Sequence, residues 1–264
     1  MTPFSLRKLP SLEDLAEFRE VYLDSCAEAQ ELYLEMKIRS AEAHVLVTEA
    51  GDVGYVLVGR DGVLLEFFVR DAHVRYADAW FGEILRRLGI RKALCKSFDA
   101  TLLACAMHHQ ISVRVEGILC REWMDVPLRE LAPGISTRWA EPADAALLIA
   151  VNENVFDHPD EIHAYTRDRK LLLFETGTGL LGFGLHSRVI PGRPEFDIGM
   201  LVVPDYRGQG HGSAIIRHMA EYCRDRGWRP ICGCDVANTG SRKCLENAGF
   251  IPRHRLLEFA FPEG

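Results

Sequence analysis

The chain contains the stretch Val202-Val203-Pro204-Asp205-Tyr206-Arg207-Gly208-Gln209-Gly210-His211-Gly212-Ser213, which follows an apolar run and leads directly into a helical pattern. Residues 198–203 have the length and partly β-branched composition of a buried strand, and Pro204 cannot continue a central strand. Apolar residues then recur at helical spacing over residues 213–223, and Gly227 provides a stop. The pattern predicts a strand, a glycine-rich turn and a helix in succession.

The glycine-rich turn predicts a phosphate-binding site. The first N–H groups of an α-helix have no intrahelical acceptor, and the helix dipole favours an anion at that end. Gly208, Gly210 and Gly212 lack the side chains that would keep a phosphate group away from the backbone, and Arg207 adds a neighbouring cation. We therefore expect a phosphorylated ligand at this turn.

Two other phosphate-binding loops also use glycine-rich turns. A Walker loop ends in Gly-Lys-Ser or Gly-Lys-Thr, and no lysine follows these glycines. The dinucleotide fingerprint Gly-x-Gly-x-x-Gly is nearly met, with Ser213 in its third position and Asp235 as a ribose-binding acid. That fingerprint lies in the first β–α turn of its domain, whereas this turn follows several predicted strands. Binding of a nicotinamide dinucleotide is therefore the weaker hypothesis.

The same stretch resembles the pyrophosphate loop of the GNAT acyltransferase superfamily, whose pattern is [Arg/Gln]-x-x-Gly-x-[Gly/Ala]. Residues 207–212 satisfy this pattern, and residues 203–206 resemble the family's approach to it. A second GNAT-like signature runs from Asn238 to Gly249-Phe250. The resemblance covers the last half of the chain. It implies an α/β fold with a mixed, mostly antiparallel central sheet flanked by helices.

Length and composition are those of an ordinary globular protein. The 264 residues carry a formal net charge of −7, which opposes a nucleic-acid or anionic-membrane partner and weakly favours a cationic one. No apolar run approaches the ~18 residues of a membrane helix and no secretory leader is recognisable, so the expected location is the cytoplasm. The eight cysteines include no C-x-x-C pair, so we expect reduced thiols and no metal site.

The chain also shows an internal repeat, because both halves give the predicted order βααβββαβαβ. We predict two tandem GNAT-like folds, residues 1–132 and residues 133–264, with residues 250–261 as the last strand of the second. At the position of the glycine-rich turn, the first half has Arg70-Asp71-Ala72-His73-Val74-Arg75-Tyr76, which contains no glycine. The first half is therefore expected to have lost the cofactor site. It would shape the substrate cleft, form an interface, which leaves a homodimer open, or serve a purely structural role.

For the second half, the resemblance implies that acetyl-CoA is bound and that its pantetheine arm enters a splay between two central strands. It implies cofactor contacts from the strand and the turn, namely from Leu201, Val202, Val203, Arg207, Gly208, Gln209, Gly210, His211, Gly212 and Ser213. An N–H group near Leu201 or Val202 is the candidate donor to the thioester carbonyl. Asn238 is the candidate partner of the pantetheine amides, and Ser241 matches the subgroup with serine in the next helix. The tyrosine acid of many members is replaced by Leu245.

Acyl transfer to an amine also needs a base, because an amine with a pKa near ~10.4 is almost entirely protonated at neutral pH. The family often places an acidic residue at the start of the cofactor strand, which corresponds here to Asp197. Strand alternation puts Glu195 on the same face. An exposed carboxylate without a catalytic role is the alternative for both residues.

The predicted function is therefore that of an N-acetyltransferase. It would move an acetyl group from acetyl-CoA to a primary amine of a small molecule or peptide, by direct attack in a ternary complex. Four acidic residues near the first two helices of the second half would attract an ammonium group, although a solvated surface explains them equally well: Glu153, Asp157, Asp160 and Glu161. The alternative from another class is a non-catalytic acyl-CoA-binding module with a regulatory or interaction role.

Overall fold

A computed structural model describes residues 3–124, 126–127, 131–153 and 155–263. Contacts divide the chain into two compact units. Unit 1 extends from the start of the chain to Leu119 and resumes at Arg253, and unit 2 comprises Cys120–Pro252. No helix within the described residues is long and apolar enough to cross a membrane.

The regular elements are given in chain order. Those of the first half are β1 Ser5–Lys8, α1 Ala16–Ser25, α2 Leu32–Ile38, β2 Glu42–Thr48, β3 Gly51–Val58, β4 Val63–Val69, α3 Ala77–Leu88, β5 Lys92–Lys96, α4 Ala100–His109 and β6 Ser112–Cys120. Those of the second half are β7 Glu122–Trp123, β8 Ser136–Trp139, α5 Ala145–Ala150, α6 Pro159–Arg167, β9 Leu171–Thr176, β10 Gly179–Arg188, β11 Glu195–Val202, α7 His211–Arg224, β12 Arg229–Asp235, α8 Thr239–Asn247, β13 Phe250–Ile251 and β14 His254–Ala260.

Unit 1 is built on a sheet with the strand order β1-β2-β3-β4-β5-β14-β6. Its strands pair antiparallel, except for the parallel pair β4 and β5. Apolar residues at helical spacing turn one side of α3 toward the core, where Trp80, Phe81 and Ile84 are fully buried. These side chains pack in one cluster with Phe67 of β4 and Leu102 of α4.

Unit 2 has the strand order β12-β11-β10-β9-β8, again antiparallel except for the parallel pair β11 and β12. On one face, Leu201 of β11 packs in a cluster with Leu148 of α5 and Ile162 of α6. On the other face α7 lies close to the sheet, because a Cβ at Gly184 would approach the side chain of Met219 to 2.6 Å. The sheet of unit 2 is therefore covered by helices on both faces.

The predicted fold class is confirmed, because both halves are mixed α/β structures with mostly antiparallel sheets. The first half has the predicted order of elements, whereas the second half begins with the additional short strand β7. The predicted single strand over residues 250–261 is wrong. It is interrupted at Pro252, which has no N–H group to donate, and gives β13 and β14 instead. β14 pairs with β5 and β6 in the sheet of unit 1. The boundary between residues 132 and 133 stays a prediction.

Candidate active site

Strand β11 leads into the glycine-rich turn, and its pairing with parallel β12 ends early. The paired residues run from Glu195 opposite Arg229 to Asp197 opposite Ile231. β11 continues to Val202, but the described part of the chain shows no further pair between these two strands. They therefore diverge toward the turn and leave a gap, as the resemblance implies.

The backbone groups of β11 that face this gap follow from its antiparallel pairing with β10. The N–H group of Val203 donates to the carbonyl oxygen of Leu181 at 3.0 Å, and Leu201 is paired with the same strand two residues earlier. Hydrogen-bonded pairs recur at every second residue of an antiparallel ladder, so the N–H group of Leu201 also points to β10. The N–H groups of Met200 and Val202 point in the opposite direction, toward the gap.

The glycine-rich turn requires glycine at two positions. Gly208 has a φ angle of +75° and Gly210 has a φ angle of +89°, and L-residues with side chains rarely adopt these values. Gly210 is the N-cap of α7. By helix geometry, the N–H groups of His211, Gly212 and Ser213 have no intrahelical acceptor. The turn thus presents a row of backbone donors at the positive end of a 14-residue helix.

A cavity of about 590 Å³ lies beside this turn, the end of β11 and the start of α8. Most of the predicted cofactor-binding residues line it: Leu201, Val202, Arg207, Gly208, Gly210, His211, Gly212, Ser213, Asn238 and Ser241. Sequence reasoning missed several other lining residues, namely Val155, Met200, Gly240 and Asn247. Gly240 and Asn247 lie within the second GNAT-like signature and Met200 lies in the strand before the turn, whereas Val155 belongs to no motif.

The lining residues of this cavity do not include four other predicted site residues: Val203, Gln209, Asp197 and Glu195. The Gln209 amide donates to the carbonyl oxygen of Asp205 at 3.2 Å, within the turn itself. Glu195 lies at the start of β11, where its carboxylate is 3.8 Å from the guanidinium of Arg229. The predicted roles of these residues stay predictions.

Arg207 is held at the edge of the cavity by two contacts. Its Nε donates to the carbonyl oxygen of Val202 at 2.8 Å. Its terminal nitrogen makes an ion pair with Glu153, and each of the two side chains is about half exposed. Glu153 has a φ angle of +41°, an uncommon value for a residue with a side chain. A fixed cation therefore lies next to the backbone donors of the turn.

The helix after the gap starts at the cavity as well. The Asn238 side chain accepts a hydrogen bond from the N–H group of Ser241 at 2.9 Å, which makes Asn238 the N-cap of α8. The same residue lines the cavity.

On the other side of the turn, the Tyr206 hydroxyl lies 3.0 Å from the Thr176 hydroxyl and 2.9 Å from that of Thr178. These hydrogen bonds lower the pKa of Tyr206.

The thiols near the cavity are not acidic. Burial raises the pKa of Cys244, which lines the cavity, and raises the pKa of Cys234 to about 11. Leu245, at the position where many GNAT members have a tyrosine acid, is buried. None of these three side chains supplies a proton donor suited to neutral pH.

The Asp197 side chain lies on the face of β11 that points away from α7. It shares a face with the side chain of Leu201, four residues later, and Leu201 packs on α5 and α6. Asp197 is partly exposed and is paired with Ile231 of β12. The carboxylate therefore stands where β11 and β12 begin to diverge.

Unit 1 has a different structure at the corresponding turn. Pairing between β4 and β5 likewise ends early, at Leu64 opposite Ala93. The segment Asp71–Tyr76 then forms a 3₁₀ helix, and the rings of His73 and Tyr76 contact Trp80 of α3. Aromatic side chains thus lie in the turn before α3, whereas the corresponding turn of unit 2, before α7, contains glycines.

Comparisons with known proteins agree with this arrangement. Residues 11–122 match the acetyltransferase (GNAT) domain, and residues 138–250 match the acetyltransferase (GNAT) family. The chain therefore belongs to the GNAT acetyltransferase family and contains two tandem GNAT domains. This family membership identifies it as an acyltransferase. No protein with a curated description is significantly similar to it.

Solved structures share the fold along the whole chain. A GNAT-family acetyltransferase from Colwellia psychrerythraea is similar with a TM-score of 0.89 at 17% identity, over 98% of this chain and 100% of the other. A GCN5-related N-acetyltransferase from Sphaerobacter thermophilus gives 0.65 at 19% identity, over 100% and 98%. A tandem GNAT protein from the clavulanic acid biosynthesis pathway gives 0.62 at 14% identity, over 99% of both chains. At such identities the likeness shows the fold alone.

Proposed function

We propose that unit 2 binds acetyl-CoA and transfers its acetyl group to a primary amine of a small molecule or peptide, by direct attack in a ternary complex in the cytoplasm. One observation carries the proposal: the backbone donors of the glycine-rich turn, the fixed Arg207 and the gap beside β11 adjoin one cavity. Neither a nucleic acid nor a membrane is expected as a partner, since the net charge is −7.

The residues present fit acetyl-CoA. Arg207 and the N–H groups from Gly208 to Ser213 would hold the pyrophosphate, because oriented N–H groups and a helix dipole favour an anion. The N–H groups of Met200 and Val202 would bond to the pantetheine arm and to the thioester carbonyl. Asn238 and Ser241 would bond to the pantetheine amides or phosphates from the other side of the cavity. When bound, the thioester supplies the electrophilic carbonyl carbon.

The chain contributes position, charge stabilisation and a base. The Val202 N–H group would stabilise the negative charge that develops on the carbonyl oxygen. Asp197, directly or through a water molecule, would take the proton from the amine, whose nitrogen forms the new C–N bond as the C–S bond breaks. Asp197 is preferred over Glu195 because Asp197-Ile198-Gly199 resembles the acidic start of the cofactor strand in the family. A thiolate with a pKa near ~8.5 leaves readily, so solvent can supply its proton.

The acceptor would approach from the side of α5 and α6, where acidic residues lie in the link between these helices and in the first turn of α6. Glu153 is engaged by Arg207, and Asp160 is paired with His158 at 3.3 Å. Asp157 is exposed and Glu161 is partly exposed. This concentration of negative charge favours an acceptor that carries an ammonium group before it loses its proton.

Titration of the protein with acetyl-CoA in a calorimeter tests binding. One site per chain is expected, because only the second half has the glycine-rich turn. The site should be lost in Gly210→Trp, with thermal unfolding used to verify that this variant retains its fold. No binding would contradict the proposal, and preferential binding of a nicotinamide dinucleotide would support the competing hypothesis.

A second measurement separates an enzyme from a non-catalytic acyl-CoA-binding module. Asp197→Asn combined with Glu195→Gln should leave the acetyl-CoA affinity unchanged and reduce turnover at least tenfold, since the base is lost and the binding residues remain. Turnover would be measured against amines of several classes, with free CoA as the product detected. Undetectable turnover of the unmodified protein with every class would favour the module.

A further inference from the structure

Helices α3 and α4 of unit 1 bring together three side chains that the proposed reaction does not use. Asp78 lies in the first turn of α3, and His108 and His109 form the end of α4. Oδ1 of Asp78 is 2.9 Å from Nδ1 of His108 and 3.3 Å from Nε2 of His109. These three potential ligand atoms all lie within 4.8 Å of one another.

Such spacing suits a small divalent cation. Zinc binds histidine nitrogen and carboxylate oxygen at about 2.0–2.2 Å, so ligand atoms at the corners of a tetrahedron are separated by about 3.3 Å. The two contacts of Asp78 are at or below this separation. The two histidine nitrogens lie within 4.8 Å of each other, so rotation of the side chains would be needed to bring all three atoms to one ion.

The His109 ring is held in place by its surroundings. It packs against Phe81 with the ring centroids 5.7 Å apart. Its Nε2 lies 3.1 Å from the backbone oxygen of Asp78 and would give up this contact when its lone pair binds an ion. A Cβ at Gly82 would lie only 2.7 Å from Cε1 of His109. Position 82 of α3 therefore provides the room that this ring occupies, and a larger residue there would displace it.

The His108 ring completes the cluster from the solvent side. Its side chain is 68% exposed, and it stacks on His109 with the ring centroids 4.8 Å apart. The stacked arrangement brings one nitrogen of each ring close to the same carboxylate oxygen, and the C-terminal end of α4 favours positive charge.

We propose that Asp78, His108 and His109 form a binding site for a transition-metal ion, Zn²⁺ in particular, which links α3 to α4. Two imidazoles and one carboxylate suit Zn²⁺, whereas Mg²⁺ and Ca²⁺ prefer sites made entirely of oxygen ligands. Water would occupy the fourth position on the exposed side. The ion stabilises unit 1 and takes no part in acyl transfer, so this proposal does not depend on the proposed function.

The test uses the full-length protein after treatment with a chelator. It is titrated with Zn²⁺ in a calorimeter and with Co²⁺ in an absorption spectrometer, since cobalt reports whether its ligands include thiolates. His108→Gln and Asp78→Asn remove ligands at exposed positions. His158→Gln is the matched control, because His158 is an exposed histidine 3.3 Å from Asp160 and belongs to no group of three potential ligands within the described residues.

We expect one Zn²⁺ site with a Co²⁺ spectrum free of thiolate charge-transfer bands. Affinity should fall at least tenfold in His108→Gln and Asp78→Asn and stay unchanged in His158→Gln. Zn²⁺ should also raise the Tm of the unmodified protein more than that of His108→Gln, since an ion bound only by the folded state stabilises it. Absence of binding would overturn the proposal, as would a thiolate spectrum or an affinity that His108→Gln leaves unchanged.

Discussion

The Sγ atom of Cys244 lies 2.7 Å from the point that a Cβ atom at Gly212 would occupy. Gly212 is in the first turn of α7 and Cys244 is on α8, so this contact sets how closely the two helices approach each other beside the cavity. The backbone of Gly212 is helical, unlike that of Gly208 and Gly210. Glycine is therefore required here for space rather than for its conformational freedom.

Gly212→Ala should weaken acetyl-CoA binding at least tenfold and lower the Tm, because the new methyl group forces α8 away from α7. Overpacking of this kind costs about 1–3 kcal/mol. Adding Cys244→Ala removes the Sγ atom and should restore most of the affinity. Gly177→Ala is the control, since a Cβ there would meet no atom within 4 Å and Gly177 is not among the lining residues of the cavity. A double variant as weak as the single one would contradict this explanation.

The turn and its helix could be predicted from the sequence because their signals are local. Pro204 ends the strand pattern, alternating glycines mark the turn, and apolar spacing marks α7. Which carboxylate lies near the cavity could not be predicted in this way. Asp197 follows a family pattern, whereas Glu153 reaches the cavity from a segment some fifty residues earlier through its ion pair with Arg207.

Long-range pairing explains the other differences. The residues of β14 show strand-forming composition, but their partners in β5 and β6 are distant in sequence, and local pattern does not specify which sheet a strand joins. Similarly, Glu66 interrupts an apolar run and looks like a surface position. Glu66 is fully buried, and it accepts a hydrogen bond from Arg19 of α1, which lies 47 residues earlier in the sequence.

Glu153→Gln should tighten acetyl-CoA binding. The Glu153 carboxylate pairs with Arg207 and so competes with a bound phosphate, while the bond from Arg207 to Val202 would remain. Since the pair is half exposed, the gain should be only about two- to fivefold and should shrink as salt is added. Calorimetric titration at two ionic strengths measures it, with Asp157→Asn as the control. Weaker binding by Glu153→Gln would show that the carboxylate instead holds Arg207 in position.

The stability of unit 1 should depend on a buried ion pair. Both oxygens of Glu66 are bonded, to the Arg19 guanidinium at 2.9 and 3.2 Å, to the Gln30 amide at 2.9 Å and to the Tyr55 hydroxyl at 2.9 Å. Glu66→Leu removes this acceptor from Arg19, Gln30 and Tyr55, while Arg19 keeps its ion pair with Glu35. We therefore expect a loss of about 3 kcal/mol in the free energy of unfolding, measured with urea.

Glu83→Gln provides the comparison for that variant. Glu83 pairs with Arg86 and Arg87 on the surface of α3, where solvent screens the charges. Loss of the Glu83 carboxylate should change the midpoint of urea unfolding far less than Glu66→Leu does. Equal effects of the two substitutions would mean that burial of the Glu66 network contributes nothing to stability.

The stability of unit 2 should fall as the pH falls below neutrality because of His186. This side chain is 8% exposed and lies among aromatic rings, those of Trp139, Phe196, Tyr222 and Trp228. Burial, reinforced by the positive charges of Lys170 and Arg226, lowers its pKa to about 4. The folded protein therefore keeps this imidazole neutral at pH values where an unfolded chain protonates it.

The sign follows from the lowered pKa. Stability is fully present above the unfolded pKa of about 6.5, and it is lost as the pH falls from there toward the folded pKa, since only the unfolded state gains the proton. At pH 5 the loss from this group should be about 2 kcal/mol. Urea unfolding at pH 7.5 and pH 5 measures this loss. The free energy of unfolding should differ less between the two pH values in His186→Phe than in the unmodified protein. In the control His163→Gln, which replaces an exposed histidine, the difference should stay as large as in the unmodified protein. An unchanged pH dependence in His186→Phe would show that other groups cause the loss, because that variant has no imidazole to protonate at this position.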